Sequence, residues 1–369
     1  MSTIPAVETK EMGGKKRFVG LDILRISLAL LVYMFHSQGH FLCNYYYLNN
    51  FIEVGAIAMT GFMMLSGFVL YMSNSRREFS KISDVKIFYL KRIISVIPLY
   101  YSIAFVHVFI QMLKGEISVS DVAILFPVEL FSVQSTYFSL FYKSHNGGTW
   151  FISCILICYA VYPYLHFIIS KISKRSLLIT FLFVSFLLLY APLVRIYFRL
   201  DMVTIYANPF YRLLEFMIGI ILARIISTGY CLKNLSILIN PISLLFTFFF
   251  MISSISIFRQ FYHIIDFMFF NWIALPCFIL VILNLALMSF KSIENSKIVI
   301  YLSGIAYTFF MCQVLPLWDV SRFFCNLLES NNNVLKILIS FTICLLGAIL
   351  IHEGIEKPVS KCLKKKLLK

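Results

Sequence analysis

Three polar residues stand on the first long apolar stretch of the chain. It reads Gly20-Leu21-Asp22-Ile23-Leu24-Arg25, then ten mostly apolar residues, then His36. In a helix eleven residues make about three turns, so Arg25 and His36 project from one face, ~16 Å apart along the axis. Asp22, three residues before Arg25, is spaced to pair with it. An ionised Arg inside a membrane span costs roughly 3 kcal/mol on insertion scales, so a chain that keeps one gives it a task. A guanidinium can contact an anionic ligand or stabilise developing negative charge. An imidazole can act as a general base or carry an acyl group transiently. By spacing alone, His36 is equally an interfacial polar residue.

Other polar or small groups interrupt apolar runs further along. Gly61-Phe62-Met63-Met64-Leu65-Ser66-Gly67-Phe68 offers small residues either for close helix packing or, at Ser66, for lining a cavity. Lys91-Arg92 stand at what hydropathy marks as a helix start, where they can bind phosphate, helped by the helix N-terminal field, or anchor the helix in a basic membrane face. Asn146-Gly147-Gly148-Thr149-Trp150 reads as a turn with an interfacial Trp, or as backbone that lets substrate approach closely. Arg212 and Glu215 are spaced as an i,i+3 pair. Glu215 would then either orient a catalytic His or complete a structural ion pair. His40, His107, His145, His166, His263 and His352 read as interfacial or loop-borne.

The elements that must position these groups are membrane spans. The chain has 369 residues, 60% hydrophobic and 13% charged, with a mean hydropathy of +0.87. A soluble chain would carry about 25% charged residues. The expected fold class is an all-α membrane protein, a polytopic bundle of about ten transmembrane helices. The spans are expected at about 19–37, 51–73, 88–113, 149–169, 176–194, 208–226, 236–258, 265–290, 298–318 and 334–355. The first apolar run lacks a small-residue cleavage site and is read as a span rather than a signal. With the N-terminus in the cytoplasm, 23 of the 32 Lys and Arg residues fall in cytoplasmic segments and six in outer ones. This asymmetry predicts both termini inside and an even number of spans. It also accounts for the net charge of +15 without any nucleic-acid partner. Arg25, Arg212 and Lys336 fall within spans. A basic tail is expected at 1–18, a transmembrane domain at 19–355 and a second basic tail at 356–369. The loop 114–148 is amphipathic and suited to lie on the membrane surface. Nine scattered cysteines read as small apolar residues, and Cys154 with Cys158 lacks the second pair a zinc site needs, so no metal is expected.

The order of these pieces resembles the large family of integral-membrane acyltransferases (acyltransferase family 3), in its stand-alone form without a fused extracellular esterase-like domain. The matching pieces are Arg25-x10-His36, Leu65-Ser66-Gly67-Phe68, Lys91-Arg92 with Pro98, Gly148-Thr149-Trp150-Phe151, Glu215-Phe216 with Gly219, Ser303-Gly304-Ile305-Ala306-Tyr307, and Glu356-Lys357-Pro358. Two departures stand out. Ser95 occupies the place of a further Arg, and Gln313 that of a His, so proton shuttling there is lost while hydrogen bonding is kept.

The resemblance implies an acyl-CoA donor, most simply acetyl-CoA. It implies as acceptor a hydroxyl of a surface polysaccharide or lipid-linked glycan, and a bacterial inner-membrane location. In that reading His36, Arg25 and Glu215 are catalytic and Lys91 and Arg92 hold the CoA phosphates. Asp22, Ser66, Trp150, Arg212 and Gln313 line the substrate path. The competing expectation is a transporter or flippase of a lipid-linked sugar or small anion, with Arg25, Asp22 and Glu215 along its pathway. Against it, the sequence shows neither two similar halves nor corresponding interrupted helices in them.

Overall fold

Within lipid no water is available to the backbone, so long apolar segments satisfy their N–H and C=O groups internally, as helices. The computed structural model describes residues 17–136, 149–229, 238–262, 267–313, 315–328 and 332–368. The tail before Arg17, Lys143, His145, the Asn146-Gly147-Gly148 turn, Lys233 and His263 lie outside them.

Helix α1 runs Val19–Phe41. A short α2, Asn49–Ile52, leads to α3, Ala58–Asn74. Then come α4, Ile82–Leu113, and α5, Val119–Leu130. They are followed by α6, Trp150–Lys171, α7, Lys174–Tyr197, the short α8, Met202–Tyr206, and α9, Pro209–Ser227. Helices α10, Pro241–Tyr262, and α11, Phe267–Leu287, pack together. Helix α12, Lys297–Met311, is followed by α13, Leu315–Leu327, and α14, Asn333–Ile351. A π-helical turn, His352–Glu356, joins α14 to α15, Lys357–Leu367.

Among the described residues, eight helices are long and apolar enough to cross a membrane. Helix α9 has spanning length but carries Arg212, Glu215 and Arg224, and α12–α13 is a crossing in two pieces. Together with the eight they make an all-α polytopic bundle. The end where α1 starts and α14 finishes is the basic side; the other is the far side.

Small residues set the closest approaches. A Cβ on Gly67 of α3 would lie 2.0 Å from the Phe216 carbonyl oxygen of α9, and one on Gly219 of α9 would lie 1.9 Å from that of Met64. The two helices cross on this glycine pair, as small residues allow in lipid. Gly67 therefore packs, while Ser66 is half-buried and shares a face with Phe62 one turn earlier.

The structure departs from the hydropathy reading at three places. Helix α4 begins at Ile82 rather than 88, because helical hydrogen bonding continues past the lipid boundary that hydropathy detects. The segment expected to cross as one helix at 298–318 is broken at Cys312 and Gln313. Pro316 lacks the N–H that would bond back to residue 312, so the α12 ladder cannot continue through it. The expected C-terminal tail is helical α15, tied to α4 by the Ser360 hydroxyl donating to the Ile94 carbonyl at 3.1 Å. The described part of the 114–148 loop holds α5, opened by a Ser118–Asp121 capping box and with no buried residue.

Candidate functional site

Helix α1 is the spine of the site. Near its basic end the Asp22 carboxylate accepts from Arg17 Nε at 2.6 Å, from the Ser303 hydroxyl at 2.6 Å and from Arg25 Nη1 at 3.0 Å. Arg25 Nη1 also reaches Ser303 Oγ, at 2.8 Å. Ser303 sits on α12, so this cluster joins the two helices and fixes the guanidinium. One carboxylate faces two cations, leaving the cluster net positive. Arg25 stands only six residues into α1, and 31% of its side chain is accessible. It lies near the mouth of the bundle, not deep in lipid as the apolar flanks suggested.

Beside that mouth lies Arg92. Its guanidinium stands over the Tyr159 ring at 5.7 Å and the Phe88 ring at 5.9 Å, and its Nε is buried without a hydrogen-bond partner. Lys91 and Arg92 sit nine and ten residues inside α4, so the helix N-terminal field assigned to them from the sequence does not act there. Ser95 points outward and bonds back to the Arg92 carbonyl at 2.8 Å. Tyr159 and Tyr307 are half-buried nearby. Phe62, Phe151 and Phe310 continue this aromatic wall, with ring centroids 5.5–6.4 Å apart.

Halfway along α1 the break between α12 and α13 comes into contact. Gln313 donates from Nε2 to the Ala29 carbonyl at 3.5 Å, while its Oε1 is buried and unpartnered. Ala29 is one turn from Arg25 and on nearly the same face. Beyond it, Tyr33 bonds to Ser340 Oγ at 2.7 Å and stacks on Trp318 at 6.1 Å, pinning α13 and α14 to α1.

His36 lies toward the far end. It is half-buried and makes no hydrogen bond among the described residues. Its ring meets Phe35 at 5.2 Å and stacks on His40 at 5.5 Å with 18° between planes. Its ring nitrogens are therefore not committed to the fold.

Arg212 and Glu215 form a different unit. Arg212 Nη1 reaches both Glu215 oxygens, at 2.9 and 2.7 Å, and Nε donates to the Tyr206 carbonyl at 2.7 Å. The Thr60 hydroxyl lies 2.7 Å from Glu215 Oε1 and 3.0 Å from the Asn271 side-chain oxygen, and Asn271 donates to the Tyr211 hydroxyl at 3.0 Å. Both charged side chains are sealed, at 1% and 0% accessible. The rings of Trp150 and Tyr206 cover the guanidinium at 5.4 and 4.6 Å, and burial pushes the Tyr206 phenol up from its ordinary range. Glu215 makes no contact with His36 among the described residues. Of the two readings the sequence allowed, the geometry matches the structural ion pair. Trp150 is likewise buried over Arg212 rather than placed at the lipid interface or along an open path. The Thr60 hydroxyl, 2.7 Å from Glu215 Oε1 and 3.3 Å from Arg212 Nη1, comes from a helix distant in sequence.

The structure thus gathers Arg25, Asp22 and Gln313 with His36 along one helix face, places Lys91 and Arg92 on α4 near the mouth, and sets Arg212, Glu215 and Trp150 apart. Sequence reasoning had no signal for Ser303 as the lock on Arg25, and it passed over His40. The eight described cysteines are free. Residues 18–353 match the family model described as an acyltransferase domain. No curated protein and no solved structure matches the chain.

Proposed function

We propose, from the premise that the chain belongs to the acyltransferase family matched over residues 18–353, that it moves an acyl group from acyl-CoA to a glycan hydroxyl. The donor is most simply acetyl-CoA, and the acceptor a surface polysaccharide or a lipid-linked glycan. The observation that carries this reading is the division along α1: a locked cation at one mouth and an uncommitted imidazole toward the other. CoA is polyanionic and cytoplasmic, so its phosphates meet Lys91, Arg92 and the net-positive Arg17–Asp22–Arg25 cluster. The pantetheine arm runs along the aromatic wall past Gln313 and brings the thioester to His36.

There the unprotonated ring nitrogen takes the proton of the acceptor hydroxyl as its oxygen attacks the thioester carbonyl. The C–S bond breaks, the ester forms, and the proton passes to the departing CoA sulfur. Arg25 cannot serve the oxyanion of this step. Donors act at 2.7–3.1 Å, and Arg25 lies ~16 Å from His36 along the helix. Its role is donor binding. Glu215 supports α9 and α3, which form the opposite wall. An interrupted helix is a feature that transporters also use at substrate sites; here family membership weighs for acyl transfer, and the break serves to present Gln313.

Two tests follow. Arg25→Gln should weaken acetyl-CoA binding ~10-fold or more, the loss expected when a charge-assisted contact is removed. Arg25→Lys should not recover it fully, because an ammonium lacks the planar fork that grips phosphate oxygens two at a time. Lys91→Gln with Arg92→Gln should also weaken binding, with the loss shrinking at high salt. Acetyl-CoA titrations at two ionic strengths measure all three, and unchanged affinity throughout would remove the donor path.

For orientation in an inner membrane, both termini should be cytoplasmic. A single cysteine at position 80 should resist an impermeant thiol reagent in intact cells and react after permeabilisation. Labelling in intact cells would reverse the topology.

A further inference from the structure

Basic residues are scarce on the far side, and those present are mostly balanced. Lys114 and Arg322 both pair with Asp319, at 2.5 and 2.7 Å, and Arg259 pairs with Glu53 at 2.8 Å. Lys336 differs. It is half-buried, and its ammonium has no carboxylate or hydrogen-bond acceptor among the described residues. It stands in the first turns of α14, just after the Asn332 N-cap, where the helix's own positive field opposes a cation. Lys336, Arg322, His40, Leu42 and Asn326 line one open recess of ≈180 Å³. Arg322 is fixed there by donating to the His40 carbonyl at 2.7 Å. Asp319, its acidic partner, is already shared with Lys114, so the described residues lining the recess keep a net positive charge. His40 is one turn beyond His36 and stacks on it at 5.5 Å, so the recess adjoins the imidazole assigned to acyl transfer.

We propose that this recess binds an anionic group of the acceptor, a sugar carboxylate or a phosphate, and so directs a neighbouring hydroxyl toward His36. The proposal rests on the acyl-transfer reading and adds to it the acceptor's charge. A Lys with no acidic partner among the described residues, set against a helix N-terminal field, is a place where an arriving anion would satisfy both. Arg322 adds positive charge, and its guanidinium carries N–H donors beyond the two spent on Asp319 and the His40 carbonyl.

The test uses the full-length protein in lipid nanodiscs, with ligand-observed NMR on methyl glucuronide, glucose 1-phosphate and methyl glucoside. One or both anionic sugars should bind and the neutral one should not; which anion binds distinguishes carboxylate from phosphate. Lys336→Gln should weaken the anionic sugar ~10-fold or more, while Lys336→Arg should retain it. Acetyl-CoA affinity should be unchanged in both. The melting temperature of Lys336→Gln should stay level or rise, because a cation leaves a helix N-terminus, so lost binding is not lost folding. Equal affinity of wild type and Lys336→Gln for the anionic sugars would overturn the proposal, as would methyl glucoside binding as tightly as they do. Binding through Lys336 in a protein that transfers no acetyl group would keep the recess and overturn acyl transfer. Acetylation of an anionic acceptor that is unaltered in Lys336→Gln would do the reverse.

Discussion

His36→Ala is expected to abolish acyl transfer while leaving the protein folded and able to bind acetyl-CoA. A general base contributes ~10²–10⁴-fold to rate, and a residue that also carried the acyl group would lower it at least as far. The fold should tolerate the change. The ring makes no hydrogen bond among the described residues and is half-buried, with contacts to Phe35 and His40 only partly enclosing it. The donor-binding groups lie at the other mouth, ~16 Å away along α1, so acetyl-CoA affinity should match wild type. Transfer measured with radiolabelled acetyl-CoA, alongside donor titration on the same preparation, separates the two quantities. Rates within about threefold of wild type would remove His36 from the chemistry. Loss of donor binding together with rate would instead assign it to the donor site.

Glu215→Leu is expected to be the most damaging single change to stability. Removing one member of a buried ion pair leaves the other charge uncompensated and costs ~3–5 kcal/mol. Arg212 is 1% accessible and cannot reach water, and the Tyr206 carbonyl and Thr60 hydroxyl are poor substitutes for a carboxylate. The variant should accumulate poorly and melt early. Arg212→Met with Glu215→Leu should recover much of the loss, since an apolar pair of similar volume in place of a buried ion pair is often neutral or stabilising. The recovered protein decides between the two readings of Glu215. Near-normal acyl transfer in the double variant would confirm a structural role. A well-folded but inactive double variant would return Glu215 to the chemistry.

How much of this was legible before folding differs residue by residue. The bundle was read directly, because lipid leaves apolar runs of this length no alternative to helix. Arg25, Asp22 and His36 were legible for a local reason: their spacing on one helix fixes a common face. Ser303, in a matched family piece, and Gln313, a departure from the pattern, were visible in the sequence, but their partners were not. Ser303 bonds Asp22 across 281 residues, and Gln313 meets Ala29 across 284.

Hydropathy also misjudged depth. It set Lys91 and Arg92 at a helix start and Arg25 deep in the span, because it measures where lipid begins and not where a helix begins or how a side chain is solvated. The break at Cys312 and Gln313 had a signal, Pro316, that composition outweighed.

The sequence by itself determined the class of molecule, the basic asymmetry and the one-helix pairing of Arg25 with His36, all properties of local periodicity and of solvent partition. Only the tertiary structure decided that Glu215 is sealed against Arg212, that Gly67 and Gly219 form a helix crossing and that Lys336 shares a recess with His40. Each of these depends on which helices become neighbours. In a uniformly apolar chain that choice is made by a few small and polar residues whose partners lie 100 or more residues away, beyond the reach of any spacing rule.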